Sequence, residues 1–144
     1  MYASGELDRV KMASIIFNDD NLLNRVNRLV HPLVLDSYDE WRRQQDADYL
    51  IFEVAILFEA GAEKHVDRIL AVTAPLEERI KRVMERNKMS REQVMERVNK
   101  QMPDDEIVKR SDYRINNSDD SMIIQEVLDI HSDILSQLKT GLYG

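Results

Sequence analysis

Two short apolar runs constrain the architecture more than any other feature. Tyr49, Leu50, Ile51, Phe52 and Val54 form the first, and "RILAVTA", ending before Pro75, forms the second. Runs of this length and continuity are the signature of strands buried on both faces, as in a parallel sheet. Between them lie a turn of helix and a loop at Gly61, and a strong helix from Leu76 to Asn87 comes after the second. Parallel strands need a crossover, so strand, helical crossover, strand and helix predicts an α/β layer fold. "DYRIN" at 112–116 is a candidate third strand.

The remaining segments read as helices. Leu7, Val10, Met12, Ile15 and Ile16 recur at roughly helical spacing until "NDDN", and Leu22, Val26, Leu29, Val30 and Leu33 continue a stripe up to "HP" at His31–Pro32. Proline there either kinks the helix or opens a new one that runs to about Gln45. Ser90 with Gln93 forms a capping-box pattern ahead of Val94, Met95, Val98 and Met102, and Pro103 ends that helix. "DDEIVKR" is a short helix, and Ile124, Val127, Leu128, Ile134, Leu135 and Leu138 mark the last one.

At 144 residues the chain amounts to one domain, with no internal repeat or low-complexity segment. It contains no cysteine, which excludes disulfides and thiolate metal sites and permits a cytoplasmic location. No apolar run is long enough to cross a bilayer as a helix, so a membrane partner is not expected. A net charge of −7 opposes non-specific nucleic-acid binding, yet residues 79–100 carry eight basic side chains against three acidic ones. That local excess suits a small anion.

Within the basic segment, Arg79, Arg82 and Arg86 share one flank of their helix at spacings of three and four. Guanidinium forks so arranged can hold a polyphosphate and stabilise charge on a transferring phosphoryl group. The plainer alternative is a solvated helix with a Glu78–Arg82 surface pair. Glu53, at the end of the first apolar run, either handles a ligand at the end of a strand or caps the next helix. His31 is an acid, a base, a ligand or a helix-junction histidine bonded to backbone. "INNSDD" offers amide and backbone groups in a loop after the last strand.

Taken in order, these segments resemble dephospho-CoA kinase, which phosphorylates the ribose 3′-hydroxyl of dephospho-CoA with ATP. "GELDR" followed by "IIF" resembles the family's G-x-L-x-R and its phenylalanine, and "HP" falls at the expected junction. "EVAILFE" resembles D-x-P-L-L-x-E, "VTAPLEERIKRVMERNKMSREQV" resembles the lid-helix stretch, and Gln101 and "INN" come after it at suitable spacing. The resemblance implies an incomplete P-loop-kinase-like, three-layer, helix-rich α/β fold over residues 1–144. It places CoA-substrate helices at about 6–46 and the remaining core, lid and C-terminal helix at about 47–140. It further implies ATP and magnesium as cofactors, Arg82 and Arg86 as lid arginines on phosphate charge, and Arg79 and Asn117 on the nucleotide. Arg9, His31 and Glu53 would lie on the dephospho-CoA side, and no metal ligand is assigned.

Departures accompany the likeness. Glu53 replaces the family's usual aspartate, Ala55 an often-found proline, and Glu77 or Glu78 stands near the usual glutamine. No G-x-x-x-x-G-K-[ST] sequence occurs, the loop whose N–H groups and lysine cradle phosphates. The expectation is therefore a chain that begins downstream of that loop and of the catalytic aspartate, inactive alone. A strand central to such folds would then be missing, which predicts self-association or a missing N-terminal segment. The alternatives are a non-catalytic nucleotide- or CoA-binding or self-associating module, or another P-loop kinase for a nucleotide-like substrate.

Overall fold

A computed structural model describes residues 2–3, 6–16 and 19–141, and it divides into two compact units, residues 1–46 and 47–144. In the first unit β1 (Tyr2–Ala3) pairs antiparallel with β2 (Glu6–Leu7), followed by α1 (Arg9–Ile16) and α2 (Asp20–Arg42). Short acidic side chains start both helices by supplying acceptors for N–H groups that have no partner in the first turn. Asp8 Oδ1 accepts from Lys11 N at 3.0 Å, and Asp19 Oδ1 accepts from Asn21 N and Leu22 N, each at 3.0 Å. Pro32 lies inside α2, which continues unbroken past it, so no new helix opens there. The helix ends at Arg42, and single turn bonds from Gln44 N and Gln45 N carry the chain onward to the expected end at Gln45.

The second unit is built on a two-stranded parallel sheet. β3 (Leu70–Thr73) pairs with β4 (Tyr113–Asn116), Leu70 opposite Tyr113 and Thr73 opposite Asn116. Between the strands come α3 (Leu76–Asn87), α4 (Arg91–Lys100) and α5 (Asp104–Lys109), and α6 (Ile124–Lys139) closes the chain order. Successive strand residues face opposite sides, so Ala71 and Ile115, one step out of register, point to different faces. Both are buried, but Leu70 and Val72, on the face that Ile115 shares, are 43% and 60% exposed, so that face is covered only in part. Ile80 of α3 and Val94 of α4 complete a small apolar core with Ala62. The expectation of a helix-rich α/β fold with a parallel sheet holds.

One expected strand does not form. Residues 49–54 carry no ladder, and Ile51 is 79% exposed. A strand requires a backbone partner; β3 and β4 pair with each other along one edge apiece, and no third strand joins either outer edge among the described residues. Beyond this run the chain turns, with Ala60 N donating to Ile56 O, Gly61 N to Phe58 O and Ala62 N to Leu57 O. Gly61 at φ 68° takes the left-handed conformation that this turn requires and opens a 3-10 turn at Ala62–His65.

Local chemistry sets the boundaries of the basic helices. Pro75 precedes α3, and Ser90 and Gln93 form the reciprocal capping box of α4, with Ser90 N donating to Gln93 Oε1 at 3.0 Å. Lys88 stops α3 in the left-handed region at φ 55°, donating its N–H to Met84 O. A side chain with Cβ is strained there, and glycine is the favoured residue. Lys88→Gly is expected to raise the unfolding free energy in urea by about 1 kcal/mol; a loss of stability would show that Lys88 is not strained.

Candidate functional site

Parallel strands bring their C-terminal ends to the same edge of a sheet, where open α/β folds place ligands. Here that edge carries the loop after β4 and the start of α3. Asn117 N donates to Thr73 O at 2.7 Å, extending the ladder one residue beyond the strands. Ser121 Oγ donates to Asn116 O at 2.7 Å and to Ser118 O at 2.8 Å, folding the loop back on itself.

Arg82 fixes this loop to α3. Its Nη1 donates to Asn117 O at 2.9 Å, and its Nη2 donates to Asp119 Oδ1 at 2.5 Å and to Glu78 Oε2 at 3.4 Å. Glu78 Oε2 also accepts from Asp119 N at 2.8 Å, so one carboxylate holds both the arginine and the loop. The bond from Arg82 holds the Asp119 carboxyl below its ordinary range, against a smaller opposing effect of desolvation, and Asp119 in turn raises Arg82. Since the folded Asp119 is more acidic than the unfolded one, its contribution to stability is present above the ordinary carboxylate range. That contribution is lost as pH falls through the depressed value.

The other arginines are placed differently. Arg79 Nη2 donates to Asp104 Oδ2 at 2.7 Å, while its Nε is shut from solvent without an acceptor among the described residues. Arg79 and Gln101 line an open groove of about 260 Å3 between α3, α4 and α5, floored by Leu76, Val98 and Met102. Arg86 is exposed and pairs with no carboxylate among the described residues; its Nε donates to Asn87 Oδ1 at 2.9 Å. Arg91 makes a bidentate pair with Glu77 at 2.7 and 2.6 Å, which depresses the Glu77 carboxyl.

The structure thus brings Arg82 and Asn117 together and separates the roles of the three helix arginines. Glu53 is exposed and makes no hydrogen bond or ion pair among the described residues. His31 is half-buried inside α2, also without such a partner. Arg9 begins α1, but its side chain, like Gly5 and Phe17, lies outside the described residues. Sequence reasoning missed Asp119 and Asp104 as partners of the arginines. The signal available for Asp119 was the pair of acids closing "INNSDD" after a strand end. No group of three or more His, Cys, Asp or Glu side chains converges as a metal site among the described residues. Those residues do not by themselves make up a magnesium site.

A family model for dephospho-CoA kinase matches residues 1–122. The chain belongs to the dephospho-CoA kinase family. It is 33% identical over 115 residues to the dephospho-CoA kinase of Fusobacterium nucleatum subsp. nucleatum, covering 80% of this chain and 60% of that one. It is 35% identical over 140 residues to the dephospho-CoA kinase of Thermus thermophilus, covering 97% of this chain and 68% of that one. The crystal structure of TT1252 from Thermus thermophilus superposes with a TM-score of 0.78 at 34% identity, covering 94% of this chain and 70% of that chain. The chain therefore spans about three fifths to seven tenths of these proteins.

The Asp119 carboxyl should titrate below the ordinary aspartate value of about 3.9 in an NMR pH series, and Arg82→Ala should return it to that value. A midpoint unchanged by Arg82→Ala would remove Arg82 as the cause.

Proposed function

We propose that this chain provides the lid and the substrate-side portion for ATP-dependent phosphorylation of the 3′-hydroxyl of dephospho-CoA, the last step of coenzyme A biosynthesis. The observation that carries this reading is the family match over residues 1–122, which includes the whole basic helix α3 and the loop that Arg82 holds. Phosphoryl transfer leaves little covalent work to the protein, so its residues act by positioning and by offsetting negative charge.

Each residue then has a role set by its partners. Arg86, free of carboxylates among the described residues, meets the phosphate charge directly. Arg82, already bonded to Asn117 O and Asp119, orders the loop in which Asn117 lies beside the nucleotide. Arg79 contributes at the groove it lines. Arg9, His31 and Glu53 are the candidates for dephospho-CoA. ATP supplies the phosphoryl group.

Residues 1–144 contain no G-x-x-x-x-G-K-[ST] sequence, so transfer by these residues requires a phosphate loop from another segment, and none is expected from them alone. The same feature supports a second reading, a module of this family that binds its ligand without turnover. Calorimetric titration with dephospho-CoA and, in parallel, ATP separates the two. Saturable dephospho-CoA binding, weakened by Glu53→Ala or His31→Ala, is expected, and no heat from either ligand would contradict the substrate-side assignment. Where a phosphate-loop segment restores turnover, Arg86→Ala should lower kcat/KM at least about tenfold without changing the unfolding midpoint. Unchanged turnover would remove Arg86 from the lid.

A further inference from the structure

The fork of Arg82 is shared between two carboxylates that differ in how firmly they are placed. Glu78 lies one turn back on α3, is 25% exposed, and uses the same oxygen, Oε2, to accept from Arg82 and from the Asp119 N–H. Asp119 reaches Arg82 from the loop after β4, and its side chain is 58% exposed. Its Oδ1 accepts from Arg82 Nη2 at 2.5 Å, and its carboxylate takes no other hydrogen bond among the described residues. Lys81 adds a second positive charge near it.

The loop is held without that carboxylate. Asn117 N donates to Thr73 O, Arg82 Nη1 to Asn117 O, Asp119 N to Glu78 Oε2, and Ser121 Oγ to Asn116 O and Ser118 O. Each of these bonds uses a backbone group of the loop, so rotation of the Asp119 side chain breaks none of them. An exposed ion pair is nearly balanced by the hydration of its two ends, which makes the bond from Arg82 Nη2 to Asp119 the easiest of the set to exchange. Arg86 stands one turn further along the same flank, about 6 Å along the helix axis. It is exposed and pairs with no carboxylate among the described residues. An anion seated on Arg86 therefore finds the next arginine on its flank already occupied.

We propose that Asp119 is a resident competitor for Arg82, its carboxylate holding the place of a phosphate oxygen until a polyphosphate seated on Arg86 extends to Arg82 and displaces it. Such a role rests on the phosphate-lid function proposed above and adds a selectivity to it. An anion that reaches Arg86 alone leaves Asp119 in place, whereas one with several phosphates gains a second arginine by expelling it. Carboxylate and phosphate oxygens both suit a guanidinium fork, and the polyphosphate carries the higher charge, so at low ionic strength the exchange favours it. Arg82 Nη1 keeps its bond to Asn117 O throughout, so the arginine changes one acceptor without releasing the loop. Asp119 thereby restricts joint engagement of the two arginines to polyphosphates.

Titration of the 144-residue chain with inorganic tripolyphosphate, and separately with inorganic phosphate, tests this through the Nε–H signals of Arg82 and Arg86. Tripolyphosphate is expected to move Arg86 and then Arg82, the Asp119 carboxylate 13C signal moving together with Arg82 while the Asn117 amide stays protected from exchange. Phosphate is expected to move Arg86 alone. Asp119→Asn, which keeps the shape and removes the charge, should tighten tripolyphosphate binding about fivefold and bring the Arg82 shift to the same concentration as that of Arg86. Asp120→Asn makes the same change in net charge at the next residue and should alter binding less than about twofold. Equal tightening by the two variants, or an Arg82 shift still delayed in Asp119→Asn, overturns the competitor role while Arg86 continues to bind. Loss of Asn117 protection in Asp119→Asn overturns it too, since Asp119 would then be a structural tether. If tripolyphosphate moves neither arginine, the phosphate-lid function fails and the competitor role with it.

Discussion

The parallel ladder between Leu70–Thr73 and Tyr113–Asn116 is the constraint on which the second unit depends. It joins segments some forty residues apart, a closure whose entropic cost is offset by the ladder itself and by the apolar surface buried around Ala71 and Ile115. The sheet-side anchors are polar as well as apolar. Tyr113 OH donates to Asp133 of α6 at 2.6 Å, and Gln137 Nε2 donates to the same Asp133 oxygen at 2.6 Å. At the same end of the ladder, Ile69 N donates to Asp112 Oδ2 at 2.8 Å. With the strands in register, the bond from Asn117 N to Thr73 O forms as well, and the loop beyond it is delivered to Arg82.

That delivery gives the basic helix its chemistry. A row of arginines on one flank looks uniform in sequence, but the fold gives each a different partner: Asp104 for Arg79, Asp119 and Glu78 for Arg82, and a neighbouring amide for Arg86. An arginine engaged by the protein's own carboxylates organises structure, whereas one without them is available to an incoming anion. Exposed pairs of this kind contribute little to stability, so their main effect is to fix geometry.

The legible parts of the chain were those encoded locally. Helix periodicity, Pro75, the Ser90–Gln93 box and Pro103 mark α3 and α4 because each acts on backbone a few residues away. "LAVT" and "YRIN" were legible as strands because each found the other. The run at residues 49–54 has equally strand-like composition, but apolar content does not encode a pairing partner, and the run joins no ladder among the described residues. The arginine partners were illegible for a related reason, since Asp104 and Asp119 lie 25 and 37 residues from the arginines they hold. The family likeness was legible because it rests on the order of many short segments, and the match over residues 1–122 agrees with it.

The division of labour between Arg82 and Arg86 is the central claim, and the Nε–H signals of the two arginines report on it directly. In a 15N-edited titration with inorganic tripolyphosphate, the account predicts that the Arg86 signal moves first while Arg82, held by Asp119, shifts only at higher concentration. Movement of Arg82 ahead of an unperturbed Arg86 would contradict it.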